Sequence, residues 1–391
     1  MRPLPPAQVV AHRLPDLRNV RRPTDPLRLA RGVTVGGARP AVGRPVPIRI
    51  AVDLLGGDGA PESVLSGVAV ALRRDADLHV TLVGPPQLAQ RPEPDTHDIA
   101  GRSTVVPATQ VVGMDEDPLR GVRTKLDSTV CVAARLVRDG AADAMVSIGS
   151  TGAAMAATVF NLGLLAGLTR AALVVTVPSA AGPVVLLDVG ATAAPAADRL
   201  AQHAMIGAAY ATARLGIPEP RVGLLTIGEE VGKGDRVRRH AAALLAALPV
   251  AFVGNVEGDD VPRGGRADVI VTDGFTGNIL LKGMEGTYAL LAGLVAQEMA
   301  QHGESARRAV SAATDHLHPE RIAGALLLGV NGVVVVGHGA SSPRAVAACI
   351  AQAASAVRDG VLPRLRDALA ALMADRVVAP VASLPGGGAP R

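Results

Sequence analysis

Residues 48–62 read IRIAVDLLGGDGAPE. The stretch Ile48-Arg49-Ile50-Ala51-Val52-Asp53 is short, apolar and rich in β-branched residues, which predicts a buried first strand. A turn follows in which Gly56, Gly57 and Gly59 supply positive φ and close backbone approach. Pro61 suits the first position of a helix. A helix N-terminus after a glycine-rich turn attracts anions. The turn does not match G-x-G-x-x-G, so a tight turn without a ligand stays open as the alternative.

The same rhythm continues outward. Apolar runs at 78–83, 144–148, 171–177, 183–188, 221–226, 250–253, 268–272 and 333–337 predict further strands. Helical periodicity marks 61–74, 126–139, 152–166, 196–214, 235–247, 278–302, 343–358 and 363–374. Strand, turn and helix in repetition predict a mostly parallel, doubly wound sheet covered on both faces, an α/β fold of three layers (α/β/α). In such sheets ligands bind beyond the carboxyl ends of the strands. Residues 144–169 carry no charged side chain. Ser147, Gly149, Ser150, Thr151, Gly152 and Asn161 interrupt that stretch, so a buried strand, turn and helix fit it better than a membrane span.

Composition narrows the function. Hydrophobic residues at 49% against 19% charged exclude global disorder. At about 150 residues per domain the length suggests two or three lobes or one large domain. Aromatics at 1% argue against stacking on single-stranded nucleic acid. Two cysteines, Cys131 and Cys349, exclude a disulfide framework and point to a reducing, cytoplasmic compartment. Nine arginines against two aspartates in residues 1–45 exceed the whole chain's net charge of +4. The remainder is therefore net acidic and no nucleic-acid binder. Residues 1–45 read as an Arg/Pro-rich disordered tail without a secretory leader's apolar stretch; a start placed upstream of the natural one is the alternative reading. Residues 46–375 form the expected domain, and 376–391 a second tail.

Lysine is scarce: Lys125, Lys233 and Lys282 stand among arginines wherever a generic cation suffices, so each is a candidate for a compact point charge. Residues 227–234, IGEEVGKG, look like a P-loop but have the wrong spacing and lack its Ser/Thr, which rejects an ATPase. Residues 272–278, TDGFTGN, close a predicted strand, with Asn278 opening a helix as a possible N-cap and Lys282 one turn in. His338 sits between glycines after strand 333–337. No metal motif stands out; His316-Leu317-His318 alone is weak.

Taken together these segments are specific. AVDLLGGDGAPESV (51–64), MDEDPLRGVRTKLDST (114–129), ADAMVSIGSTGAAMA (142–156), LLDVGA (186–191), GLLTIGEEVGKG (223–234), FVGNVEGDD (252–260), VIVTDGFTGNILLKGMEG (269–286) and LLGVNGVVVVGHGASS (327–342) resemble the bacterial acyl-ACP:phosphate acyltransferase (PlsX) family over about residues 48–370. The resemblance implies an isocitrate/isopropylmalate dehydrogenase-like fold, two lobes with a cleft, and a homodimer. It implies transfer of a fatty acyl group from acyl carrier protein to inorganic phosphate for phospholipid synthesis, without metal or nucleotide cofactor. The acyl phosphate would pass to a membrane glycerol-3-phosphate acyltransferase, with peripheral membrane association of this chain. The sequence departs from the family's pattern where Ser150, Thr192 and Thr226 replace usual asparagines. A non-catalytic carrier-binding paralogue and an NAD/metal-dependent dehydrogenase of the same fold stay open as alternatives.

Phosphate attack on a thioester needs cations and N–H groups for the dianion, fixed donors for the oxyanion, and an acid or positive charge for the thiolate. The expected catalytic residues are Lys233, Lys282, Asp273 and His338, the last as proton donor. Expected phosphate or substrate contacts are Gly56, Gly57, Asp58, Arg123, Lys125, Ser128, Thr151, Gly152, Glu229, Asn255, Glu257, Gly274, Phe275, Gly277 and Asn278. Arg236, Arg238 and Arg239, with Lys233 and His240, form a basic run on helix 235–247 that reads either as a solvated face or as a dock for an acidic carrier. The apolar middle of helix 278–302 reads as core, dimer interface or lipid-facing surface.

Overall fold

The computed structural model describes residues 47–89, 101–314 and 324–378. Eleven strands form one sheet: β1 Ile48–Asp53, β2 Leu78–Val83, β3 Ser103–Val106, β4 Ala144–Ser147, β5 Ala172–Val177, β6 Val184–Leu187, β7 Arg221–Leu225, β8 Ala251–Val256, β9 Val269–Val271, β10 Gly324–Leu328 and β11 Val333–Gly337. The helices are α1 Glu62–Arg74, α2 Pro86–Ala89, α3 Pro118–Thr124, α4 Thr129–Arg138, α5 Thr151–Leu162, α6 Ala197–Tyr210 (continued by a π turn, Ala211–Leu215), α7 Arg236–Ala246, α8 Asp260–Arg263, α9 Gly274–Ala300, α10 Glu304–Thr314, α11 Pro343–Arg358 and α12 Val361–Val378.

Side-chain alternation splits the core between the two faces of the sheet. Ile48, Ile50 and Val52 of β1 belong to the core layer that also holds α1, α6 and α11. Ala51, between them, packs with α4 and α5 on the other face. In β11 Val333 and Val335 go to the first cluster, Val334 and Val336 to the second. Central strands buried on both faces need the uninterrupted Val/Ile/Leu runs seen in the sequence. This is the three-layer arrangement expected.

The strand order is β3-β2-β1-β4-β11-β10-β5-β6-β9-β7-β8. Pairings are parallel except β10 with β11, β10 with β5 and β5 with β6. Strands β1, β2, β3, β4 and β11 therefore share one sense, and β6, β7, β8 and β9 run the other way, which defines two lobes.

Several boundaries differ from expectation. Strands β3 and β10 have no counterpart in the sequence reading: STVV is half polar, and GALLL directly precedes a Gly-rich turn. Helix 126–139 is α4 alone and starts at Thr129, while α3, Pro118–Thr124, has no counterpart in the sequence reading. Helix 278–302 begins at Gly274 because Asp273 is its N-cap, accepting the Thr276 N–H at 2.8 Å. Asn278 is thus inside the helix rather than at its cap. Helix α12 continues to Val378, into the expected C-terminal tail. The N-terminal tail and His316-Leu317-His318 lie outside the described residues, as does the rest of the C-terminal tail. Cys131 and Cys349 are buried and form no disulfide.

His203 of α6 is fully buried beside β9, and burial pushes its imidazole down to about 4. The unfolded chain takes up this proton near pH 6.5, while the folded protein takes it up only near pH 4. The group's stability contribution is therefore intact above pH 6.5 and lost as pH falls toward 4, by roughly 3 kcal/mol. Urea unfolding at pH 7 and pH 4.5 should show His203→Leu losing markedly less stability than the parent; parallel losses would contradict this.

Candidate active site

In the first lobe, register places Asp53 at the end of β1 beside Ser147 at the end of β4, since Val52 pairs with Val146. Both side chains fall on the α4 side of the sheet. The Ser147 Oγ–H donates to Asp53 Oδ2 at 2.8 Å and the Leu55 N–H to Oδ1 at 3.3 Å. The Thr129 hydroxyl and the Gly56 N–H also bond the carboxylate. Burial nevertheless raises the Asp53 carboxyl above the usual carboxylate range, outweighing those bonds.

Gly57 adopts φ +94°, and the Asp58 N–H donates to Gly339 O at 2.8 Å. This bond ties the 56–58 turn to the turn after β11, where His338 is exposed. His338 Nδ1 accepts the Ala340 N–H at 3.2 Å, leaving Nε2 as the hydrogen-bearing nitrogen that faces out. Ser150 caps α5 by accepting the Ala153 N–H at 3.4 Å, so the serine does the capping an asparagine would do. Thr151 and Gly152 form the first turn, packed on Pro118 of α3. Together these elements enclose a cavity of about 160 Å³ lined by Asp53, Gly56, Gly57, Met114, Thr129 and Ser147. Ser128 is buried beneath it and Arg123 is exposed on α3. Lys125 Nζ donates to Val111 O at 2.8 Å and pairs with Glu116, bracing the loop that forms the cavity wall.

In the second lobe, Asp188 follows β6 and is fully buried. Its Oδ1 accepts N–H bonds from Leu173 (3.2 Å), Gly190 (3.0 Å) and Ala191 (2.8 Å), and Oδ2 one from Thr192 (2.7 Å). The Thr192 carbonyl accepts the Gly274 N–H at 2.8 Å. Thr192 thus contributes backbone groups, which its difference from asparagine does not alter. Gly277 meets this turn so closely that an added Cβ would lie 2.0 Å from Asp188 O. Asp273 accepts from Thr276 Oγ1 at 2.7 Å and pairs with Arg238. Phe275 and Asn278 face outward.

Arg238 corrects the sequence expectation. Its side chain is turned inward, 16% exposed, against an Asp273 side chain 11% exposed. The guanidinium reaches Asp273, Thr276 Oγ1 at 3.1 Å, Leu225 O at 3.1 Å and Asp235 at 2.7 Å. It clamps α7 to the start of α9 and is no docking residue. Arg236 and Arg239, beside it in sequence, are exposed. Lys233 and Lys282 are exposed too, 3.9 Å from Glu230 and 2.7 Å from Glu285 respectively. Glu229 pairs with Arg266. Asn255 donates to Glu230 O at 2.9 Å and the Thr226 hydroxyl to Gly228 O at 2.6 Å, so both hold the 227–234 loop. The Glu257 N–H donates to Asp260.

The expected residues therefore form two groups. Gly56, Gly57, Asp58, Ser128, Thr151, Gly152 and His338 belong to the first lobe, with Asp273, Lys233, Lys282 and their neighbours in the second. Asp53, Ser147, Thr129, Asp188 and Thr276 were missing from the expected set. A signal for the aspartates was present: apolar strands end in AVD (51–53), LLD (186–188) and VTD (271–273).

A mostly parallel two-lobed α/β sheet with its polar groups gathered at strand carboxyl ends defines the class, and a solved phosphotransacetylase from Streptococcus pyogenes shares the fold. It superposes with a TM-score of 0.53 at 18% identity, covering 80% of this chain and 94% of its own. The family model described as "Fatty acid synthesis protein" matches residues 48–364. "Phosphate acyltransferase" of Desulfitobacterium hafniense is 39% identical over 328 residues, 82% of this chain and 98% of the relative. That of Desulforudis audaxviator is 43% identical over 321 residues, 81% of this chain and 94% of the relative. The chain belongs to this family.

Removing Arg238 leaves the buried Asp273 without its cation. Arg238→Ala should cost about 3–5 kcal/mol, whereas exposed Arg236→Ala and Arg239→Ala should stay within about 0.5 kcal/mol. Urea unfolding reads both; three equally small effects would remove Arg238 from the scaffold.

Proposed function

We propose that the protein transfers a fatty acyl group from the thioester of an acyl carrier protein to inorganic phosphate, yielding acyl phosphate for phospholipid synthesis. Membership of the family, over nearly the full length of relatives named phosphate acyltransferase, is the observation that carries this reading. The charge distribution supports a division between the lobes. The first-lobe cavity is lined by carboxyl, hydroxyl and glycine backbone groups, a setting for a neutral thioester. The second lobe carries the exposed lysines Lys233, in the 227–234 loop, and Lys282, on α9, as a setting for phosphate. Exposed His338, in the turn that the Asp58 N–H ties to the 56–58 loop, is the donor offered to a developing oxyanion.

Incubation with acyl carrier protein thioester and labelled phosphate should give labelled acyl phosphate. Lys233→Ala and Lys282→Ala should each lower kcat/KM for phosphate by about 10²-fold. No labelled product from the parent protein would refute the reaction; unchanged variants would move phosphate elsewhere.

The carrier is acidic in this reading, and exposed Arg236, Arg239 and His240 on α7 are its dock. Helix α9 provides self-association. Only its first turns are buried, through Gly274, Gly277, Leu281 and Met284, while Leu290, Leu291, Leu294 and Val295 are exposed. The helix is long and apolar enough to cross a membrane by composition, with 11% of that window buried. We read this face as a homodimer interface whose tip touches the membrane where acyl phosphate is consumed. Light scattering should show a dimer that Leu291→Glu with Leu294→Glu converts to monomer and that loses binding to anionic vesicles. An unchanged mass would place the interface elsewhere.

A further inference from the structure

We infer that Asp53 is the general acid–base of the transfer, giving a proton to the departing sulfur and taking one from the attacking phosphate. The inference rests on the reaction proposed above. It starts from a contrast between two buried strand-end carboxylates. Asp188 is met by backbone N–H groups from Leu173, Gly190, Ala191 and Thr192. A backbone N–H can only donate, so that cradle fits one protonation state, the carboxylate. Asp53 is met in part by hydroxyls, Ser147 from β4 and Thr129 from α4. A hydroxyl donates to a carboxylate and accepts from a carboxylic acid by rotating its hydrogen. The Asp53 network therefore persists through protonation and deprotonation.

Position agrees with chemistry. Asp53 is 4% exposed, and it lines the cavity of about 160 Å³. The groups facing it are the Leu55 and Gly56 N–H groups on its own turn, the two hydroxyls, and the Cys131 thiol of α4. Asp58 lines the same cavity, and its N–H bonds the carbonyl of Gly339, which follows His338 in sequence. None of these neighbours is a cation that would lock Asp53 as an anion. Burial favours the neutral form of Asp53 as it does of Asp188, so the hydroxyl partners and the cavity are what distinguish Asp53.

The proton count closes. An oxygen of HPO4²⁻ attacks the thioester carbonyl, forming the C–O bond. The C–S bond breaks and its electron pair leaves on sulfur. Sulfur then lacks one proton and the phosphoryl group holds one in excess. Protonated Asp53 gives its proton to sulfur and receives the phosphoryl proton, so thioester plus HPO4²⁻ becomes acyl phosphate dianion plus thiol with Asp53 unchanged.

A leaving-group series tests this. Aliphatic thiols depart poorly without a proton, whereas an aromatic thiolate such as thionitrobenzoate departs unaided. Asp53→Asn should slow phosphate-dependent release from an acyl pantetheine thioester by about 10²-fold or more, and from the acyl thionitrobenzoate ester by less than about 3-fold. Equal losses on both esters would overturn the assignment. Ser147→Ala provides a second test that keeps the carboxyl: losing a bond donated to the ionised form raises the Asp53 pKa, so the alkaline fall of kcat should move to higher pH. A limb that stays in place would also overturn it. Failure of the parent protein to release thiol from either ester would instead refute the transfer reaction itself.

Discussion

A carboxylate buried at the end of an apolar strand must be met by hydrogen bonds or a cation, and much of the site follows from how this is done three times. Backbone N–H groups wrap Asp188 and thereby fix the 188–192 turn, against which α9 begins. Arg238 meets Asp273 and joins α7 to the same helix. Hydroxyls meet Asp53, beside a cavity. The first two arrangements make rigid supports; the third leaves a group free to change its proton.

The sheet determines where these ends lie. Antiparallel pairings of β10 and β5 reverse the strand sense between the lobes. Each lobe thus presents its own set of carboxyl ends. A reaction between a neutral thioester and a phosphate dianion gains from such a division, because each partner needs an environment unfavourable to the other. In the proposed reaction the cavity around Asp53 takes the thioester, and the lysines of the second lobe attract the phosphate.

Much of this was legible in the sequence. Uninterrupted apolar runs marked the buried strands, and the glycine-rich turns marked their carboxyl ends. Residues whose meaning depends on direction were not legible. Arg238 follows Arg236 and precedes Arg239 in a basic run, and nothing in that run says which one turns inward; the helix phase set by the Asp235 cap decides it. Lys125 looked like a phosphate ligand because lysine is scarce, but its partners Val111 and Glu116 are nine or more residues away in sequence. Asp53 was hidden by its neighbours: the glycines after it drew attention to the turn, whereas its pairing with Ser147 depends on strand register across 94 residues. The start of α9 was misplaced because Asn278 is as good a cap by type as Asp273.

The division between the lobes is tested most directly by calorimetric titration of inorganic phosphate into the parent protein, the Lys233→Ala/Lys282→Ala double variant and Asp53→Asn. The account predicts that phosphate binding is lost in the double lysine variant and kept in Asp53→Asn. Binding that survives loss of both lysines but disappears with Asp53→Asn would place the phosphate in the first-lobe cavity and contradict it.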